Sequence, residues 1–240
     1  LYAGQALRNG WVSTRRPEGR MEEIDETFME DAFGDRFRPG EPLTKHGTLR
    51  IGGPATYWME ISSIEELHWA RRFAEQRGHQ LVPVGLGSNV LFGDEGIDDV
   101  AIRLVGDLAS WQVTPTSETT ALVSIGAGTV NAHLVRGLLK DGWIGMEFLA
   151  LIPGTFGGAI TMNAGTREKE LSSILRRVEL FAPDEPRMVT VLQASEIDIS
   201  YRHSALPQGS IVTGGVIEVE RGDVDAARER VRADKDRRNE

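Results

Sequence analysis

Two glycine-rich segments carry the clearest chemistry in this chain. The first is Gly85-Leu86-Gly87-Ser88-Asn89-Val90. The second is Ile152-Pro153-Gly154-Thr155-Phe156-Gly157-Gly158-Ala159, which runs on to Asn163-Ala164-Gly165. Glycine permits positive φ and lets a ligand approach the backbone closely. Successive N–H groups in such a turn form a concave anion site. One such loop alone is also read as a plain turn between strands. Two in one chain point to a ligand with an extended phosphate held between two lobes, which is the chemistry of a dinucleotide.

The elements that must position these loops follow from the hydrophobic pattern. Residues 57–61 read as a strand. Ser62-Ser63-Ile64-Glu65 matches a capping box, and a helix follows to about Arg77, ended by Gly78. Its positions Ile64, Leu67, Ala70 and Ala74 share one face. A short strand over 81–84 delivers the chain to the first glycine loop. Residues 90–92 and 100–104 read as further strands. A second unit opens near Trp111, with a strand over 119–125 broken by Gly126-Ala127-Gly128. Thr129 or Asn131 caps a helix to about Lys140, stopped by Asp141-Gly142. Strands follow over 177–181, 187–192 and 211–220, and Asp223 caps a final, strongly charged helix. This order of elements predicts an α/β or α+β unit.

The composition limits the function. Hydrophobic residues make up 40% and charged residues 26% of 240 positions, an ordinary globular balance. The formal net charge of −9 argues against a general nucleic-acid binder, which needs clustered Lys and Arg. The chain has no cysteine, which excludes disulfides, thiolate catalysis and cysteine-ligated clusters. The five histidines lack metal-ligand spacing, so no metal site is expected. No apolar run approaches the ~20 residues of a membrane span. The chain opens on Leu1, and residues 1–20 hold four arginines against one glutamate. The expectation is that Met21 is the natural start and that 1–20 is upstream readthrough or a tail, the competing reading being a basic arm. The charged helix running to Asn239-Glu240 reads either as a terminal solvated helix or as the end of a truncated chain.

Several motifs occur in a telling order. Thr48-Leu49-Arg50-Ile51 leads into Gly52-Gly53-Pro54, and the first glycine segment follows. Gly145-Met146-Glu147-Phe148-Leu149-Ala150 leads into the second, and Tyr201-Arg202-His203-Ser204 comes last. From about Leu43 onward the chain resembles the UDP-N-acetylenolpyruvoylglucosamine reductase (MurB) family. The resemblance implies an α+β, two-subdomain FAD-binding fold of the vanillyl-alcohol oxidase and p-cresol methylhydroxylase type, with the third, substrate domain largely missing. It divides the chain into a tail (1–20), subdomain 1 (21–110), subdomain 2 (111–222) and the start of the substrate domain (223–240).

The activity it implies is FAD-dependent, NADPH-driven reduction of UDP-N-acetylglucosamine enolpyruvate to UDP-N-acetylmuramate. That places the protein in peptidoglycan synthesis, as a cytoplasmic monomer with no nucleic-acid or membrane partner. The cofactor residues carried over are Gly52, Gly53, Gly85, Leu86, Gly87, Ser88, Asn89, Val90, Ile152, Pro153, Gly154, Thr155, Gly158, Ala159 and Asn163. Arg202 takes the catalytic position, its guanidinium suited to bidentate pairing with a carboxylate. Tyr201 and Ser204 flank it as substrate contacts, and Glu147 is a weaker candidate for a cofactor or substrate contact.

Two departures stand out. Thr166-Arg167-Glu168 replaces the aromatic residue and glycine found in many members. The family's Gly-Ser-x-Phe motif and its carboxyl-terminal glutamate are absent, which leads to the expectation of a fragment that binds FAD without turnover. The rival readings are another FAD oxidoreductase of the same fold and a non-catalytic nucleotide-binding module. Covalent flavin attachment is disfavoured because neither glycine loop holds a histidine and the chain has no cysteine.

Overall fold

A computed structural model describes residues 24–182 and 189–239. The expectations for Met21 and for the amino-terminal tail fall outside these residues. The fold is α+β, built on two sheets. Helix α1 (Glu26–Phe33) starts at Asp25, whose carboxylate accepts from the Phe28 N–H at 2.8 Å. Strand β1 (Phe37–Pro42) pairs antiparallel with β2 (Pro54–Ile61), which leads into α2 (Ile64–Gln76). Strands β3 (Leu81–Pro83) and β4 (Ile97–Leu104) complete a sheet of order β1-β2-β4-β3, with β4 parallel to both neighbours. β1 holds Pro39 and Pro42, which lack a donor and are tolerated because the strand is at the sheet edge.

The second sheet has the order β5-β6-β12-β8-β9. Strands β5 (Trp111–Pro115) and β6 (Thr120–Gly126) precede α3 (Asn131–Lys140), the short β7 (Trp143–Ile144) and α4 (Phe156–Thr161). Strands β8 (Leu175–Phe181) and β9 (Val189–Gln193) lead to a small hairpin of β10 (Ile199–Ser200) and β11 (His203–Ser204). The long central β12 (Ile211–Arg221) is followed by α5 (Val224–Asn239). β12 is buried on both faces from Ile211 to Ile217. At Gly215 the missing side chain lets α4 pack directly on the strand, since a Cβ there would lie 3.2 Å from Ile160 and 3.4 Å from Phe156.

One continuous apolar core joins the two sheets. It includes Phe73, Met59 and Ile102 from the first unit and Val123, Leu134, Phe156 and Leu180 from the second. A smaller core of Leu43, Ala55, Trp58, Val84, Phe92 and Ala101 fills the other face of the first sheet.

Three details differ from the sequence reading. The cap of α2 is Ser63, not Ser62, and the matching carboxylate is Glu66, not Glu65. Glu66 Oε2 accepts from the Ser62 N–H at 2.6 Å, and the same carboxylate takes Arg36 in a bidentate pair at 2.7 and 2.8 Å. That double demand selects Glu66. Residues 90–92 form no strand. Phe92 instead plugs the small core against Gly47 and Gly52, which anchors an irregular loop. The strand read over 187–192 is observed from Val189, and Arg187 and Met188 lie outside the described residues. Asp223 does cap α5, accepting from the Asp225 and Ala226 N–H groups at 3.0 Å.

Candidate active-site cleft

The two glycine segments, far apart in sequence, face each other across one cleft of about 1200 Å³ between the sheets. They touch at Gly85, where an added Cβ would sit 2.8 Å from the Thr155 hydroxyl. The first loop leaves the end of β3 and is tied down by the Thr48 N–H donating to the Gly87 carbonyl at 3.1 Å. Gly87 has φ +62°, and a Cβ there would collide with the His46 carbonyl. Only glycine meets both demands. The second loop is held by α3 and its approach: Asn131 N–H donates to Gly154 O at 3.1 Å, and Phe156 N–H to Thr129 O at 2.8 Å. Ser88 Oγ and Asn131 Nδ2 both converge on Gly154, lying 3.7 and 3.8 Å from where its Cβ would be.

The cleft is lined by Gly85, Leu86, Gly87, Ser88, Asn89 and Val90 on one wall. Ile152, Pro153, Gly154, Thr155, Gly158 and Ala159 form the other, with Arg202 and Ser204 at the margin. Gly52, Gly53, Asn163 and Tyr201 do not line it. Gly52 and Gly53 pack against Phe92 and the Asp94 carbonyl, bracing the turn at 92–96. Asn163 is buried, with φ +38°, and works as a hub. Its amide donates to Glu170 Oε2 at 2.9 Å and to Ser200 O at 3.2 Å, and its carbonyl accepts from the Ser172 N–H at 3.0 Å. Tyr201 is 78% exposed, beside a shallow depression lined by residues 166–170, 172 and 173. Glu147 lies away from the cleft, accepting from the Gly145 N–H at 2.5 Å and from Arg230 at 2.8 Å. Burial alone would raise its pKa; those bonds outweigh burial and hold it below the usual carboxylate value.

Arg202 is fixed by an unusual backbone. Its φ is +57°, costly for a residue with a side chain. The hairpin that carries it is clamped to α4 and the turn after it at three points. Ser204 Oγ donates to Ile160 O at 2.7 Å, Asn163 Nδ2 donates to Ser200 O, and Arg202 Nη2 donates to Gly165 O at 3.1 Å.

Two cleft residues were not singled out as ligands by sequence reasoning. Asn131, read as a helix cap, stands instead at the first position of α3, buried; its Oδ1 has no hydrogen-bond partner among the described residues. Arg103 interrupts the apolar run of β4 and also lines the cleft. A charged residue inside a strand bordered by Ile102 and Leu104 was the available signal. Among the described residues, Arg103 and Arg202 are the charged side chains of the lining, and no carboxylate joins them. In a chain with 36 acidic and 27 basic residues, that selection marks an anion site.

A model of FAD binding domains matches residues 55–188, more than half of the chain. The UDP-N-acetylenolpyruvoylglucosamine reductase of Myxococcus xanthus (strain DK1622) is 34% identical over 206 residues, covering 86% of this chain and 65% of the relative. The crystal structure of the MurB enzyme from Thermus caldophilus superimposes with a TM-score of 0.72 at 31% identity, over 85% of this chain and 69% of that one. The chain belongs to the UDP-N-acetylenolpyruvoylglucosamine reductase (MurB) family. Its flavin-binding fold is shared more widely: a VAO-type flavoprotein from Myceliophthora thermophila matches with a TM-score of 0.53 at 12% identity, covering 70% of this chain and 32% of that one. The chain spans about 65% of the length of the first relatives it matches.

FAD is the cofactor of this MurB-family fold, and the cleft residues fit it. Two glycine-rich walls meet, a buried amide oxygen lacks a partner among the described residues, and the charged lining is cationic.

Proposed function

We propose that this chain is the flavin-binding part of an enzyme that reduces UDP-N-acetylglucosamine enolpyruvate to UDP-N-acetylmuramate, with NADPH as reductant, in the cytoplasm. The observation that carries the reading is the meeting of both glycine segments across one carboxylate-free cleft, in a chain of this family.

Gly85, Gly87, Ser88 and Asn89 hold the cofactor pyrophosphate through backbone N–H groups, as such loops hold anions. Ile152, Pro153, Gly154, Thr155, Gly158 and Ala159 form the second wall. When bound, FAD supplies the hydride chemistry, while the protein supplies orientation and electrostatics. Arg202 pairs with the substrate carboxylate and stabilises the enolate-like charge that develops on it. The clamps on its hairpin preorganise the guanidinium for that task. Tyr201 offers an exposed ring beside it, and Ser204 keeps the hairpin seated on α4.

The test is a visible spectrum of the purified chain after FAD addition and desalting, followed by titration with UDP-N-acetylglucosamine enolpyruvate. The expected result is a retained, perturbed flavin spectrum that shifts with substrate, and loss of the shift but not of the flavin in Arg202→Ala. A folded chain retaining no flavin overturns the cofactor site. Retained flavin indifferent to the substrate favours a nucleotide-binding module.

A further inference from the structure

Arg103 lies where β4 meets the first glycine loop. The Val84 N–H donates to the Ile102 carbonyl at 2.8 Å, so the chain enters Gly85 beside this residue. Ile102 and Leu104 belong to the main core. Strand alternation sends Arg103 to the opposite face, where its guanidinium carbon lies 4.9 Å from the centre of the Trp58 ring. His46 stacks on the same indole at 3.6 Å, and the His46 carbonyl is what Gly87 packs against. Arg103 thus shares its support with the first loop while lining the cleft.

Its charge is poorly compensated by the protein. The Nε is buried without a hydrogen-bond partner among the described residues, and burial pushes the guanidinium pKa down from its ordinary value. Its cross-strand neighbour Glu60 attracts it electrostatically but makes its direct ion pair with Arg38, at 3.2 Å. Among the described residues Arg103 makes no ion pair. Stacking on Trp58 and the attraction of Glu60 offset part of the desolvation, but a half-buried cation without a direct ion pair is costly. On the FAD reading the adjacent loop holds a doubly charged pyrophosphate, which backbone N–H dipoles neutralise only in part. Arg202, the other cleft cation, is held at the β10–β11 hairpin by Gly165.

We propose that Arg103 is the counter-charge for the pyrophosphate of the FAD held by the first glycine loop. This rests on the FAD reading of the cleft.

The experiment is equilibrium binding of FAD to the flavin-stripped chain, followed by flavin fluorescence, for wild type, Arg103→Lys and Arg103→Gln at low and high salt. Riboflavin is run in parallel, and ADP as a competitor that displaces FAD. The expected result is that Arg103→Gln weakens FAD and ADP by about 10- to 100-fold and leaves riboflavin unchanged. Salt should weaken wild type and Arg103→Lys more steeply than Arg103→Gln. Circular dichroism of the flavin-free proteins checks folding; if Arg103→Gln does not fold, the salt dependence of Arg103→Lys against wild type decides.

Arg103→Gln binding FAD as tightly as wild type, or losing riboflavin by the same factor, overturns the assignment and leaves Arg103 as packing on Trp58. So does a folded Arg103→Gln that binds FAD normally but no longer responds to the UDP-sugar, which moves the residue to the substrate. A salt response in Arg103→Lys flatter than in wild type also counts against it. Wild type failing to bind FAD overturns the cofactor reading itself, and the role of Arg103 with it.

Discussion

Gly87 concentrates the demands of the first loop in one residue. It needs positive φ and has no room for a Cβ against the His46 carbonyl. Gly87→Ala should therefore cost about 1–3 kcal/mol and weaken FAD binding, seen as a lower thermal midpoint and a larger dissociation constant. An unchanged midpoint and unchanged affinity would mean that this loop does not rest on His46. Asn163 is the corresponding residue behind the hairpin. Asn163→Ala leaves the Ser172 N–H and the Ser200 carbonyl without their partner, at about 1–3 kcal/mol each if they stay dry. The same change frees one side of the Arg202 hairpin, so the substrate-induced flavin shift should weaken while FAD affinity holds. Loss of FAD affinity instead would place Asn163 in the cofactor site itself.

Helix α2 shows how local and tertiary terms combine in one element. Ser63 Oγ accepts from the Glu66 N–H at 3.2 Å, and Glu66 serves both the Ser62 N–H and Arg36. Ser63→Ala should cost about 0.5–2 kcal/mol, read as a shift in the denaturant midpoint. Glu66→Gln should cost more, because it removes the bidentate Arg36 pair as well. Equal costs would show that the pair adds nothing to the cap. The periodicity of α2 was legible in the sequence, as was the short strand β3 that leads into the first glycine loop, because those segments alternate or repeat cleanly; α4, which opens inside the second glycine segment, was not. The exact capping pair was not. Adjacent serines and adjacent glutamates offer two registers, and Arg36, distant in sequence, chooses between them. β1 was equally hidden: its two prolines and glycine carry no strand signal, and only the edge position beside β2 admits them.

The whole molecule should lose stability to acid in two stages. Burial pushes the His46 pKa below its ordinary 6.5, so the fold favours neutral His46. That contribution is complete above pH 6.5 and is lost as pH falls through the depressed folded value. Glu66 and Glu147 are held below 4.5: burial opposes this, and hydrogen bonds from Arg36, Ser62, Arg230 and Gly145 prevail. Their contribution is present above pH 4.5 and disappears as they protonate below it. Thermal midpoints from pH 8 to pH 3 should hold steady down to about 6.5, then fall, and fall again below 4.5. A flat profile through this range would contradict the burial of His46 and both carboxylate networks.

The sequence by itself determined the two glycine segments, the strand that leads into the first and the motif order that marks the family. These are local properties: a strand or helix period, and glycine where a side chain would obstruct. Only the tertiary structure decided which motif residues reach the ligand space. Gly52 and Gly53 brace a turn, and Asn163 anchors a hairpin. The cleft instead recruits Arg103 and Asn131, which belong to no glycine motif. Whether a polar side chain faces solvent, core or cleft depends on which strands become neighbours. That pairing is settled by burying one apolar core across both sheets, a condition that no local window contains.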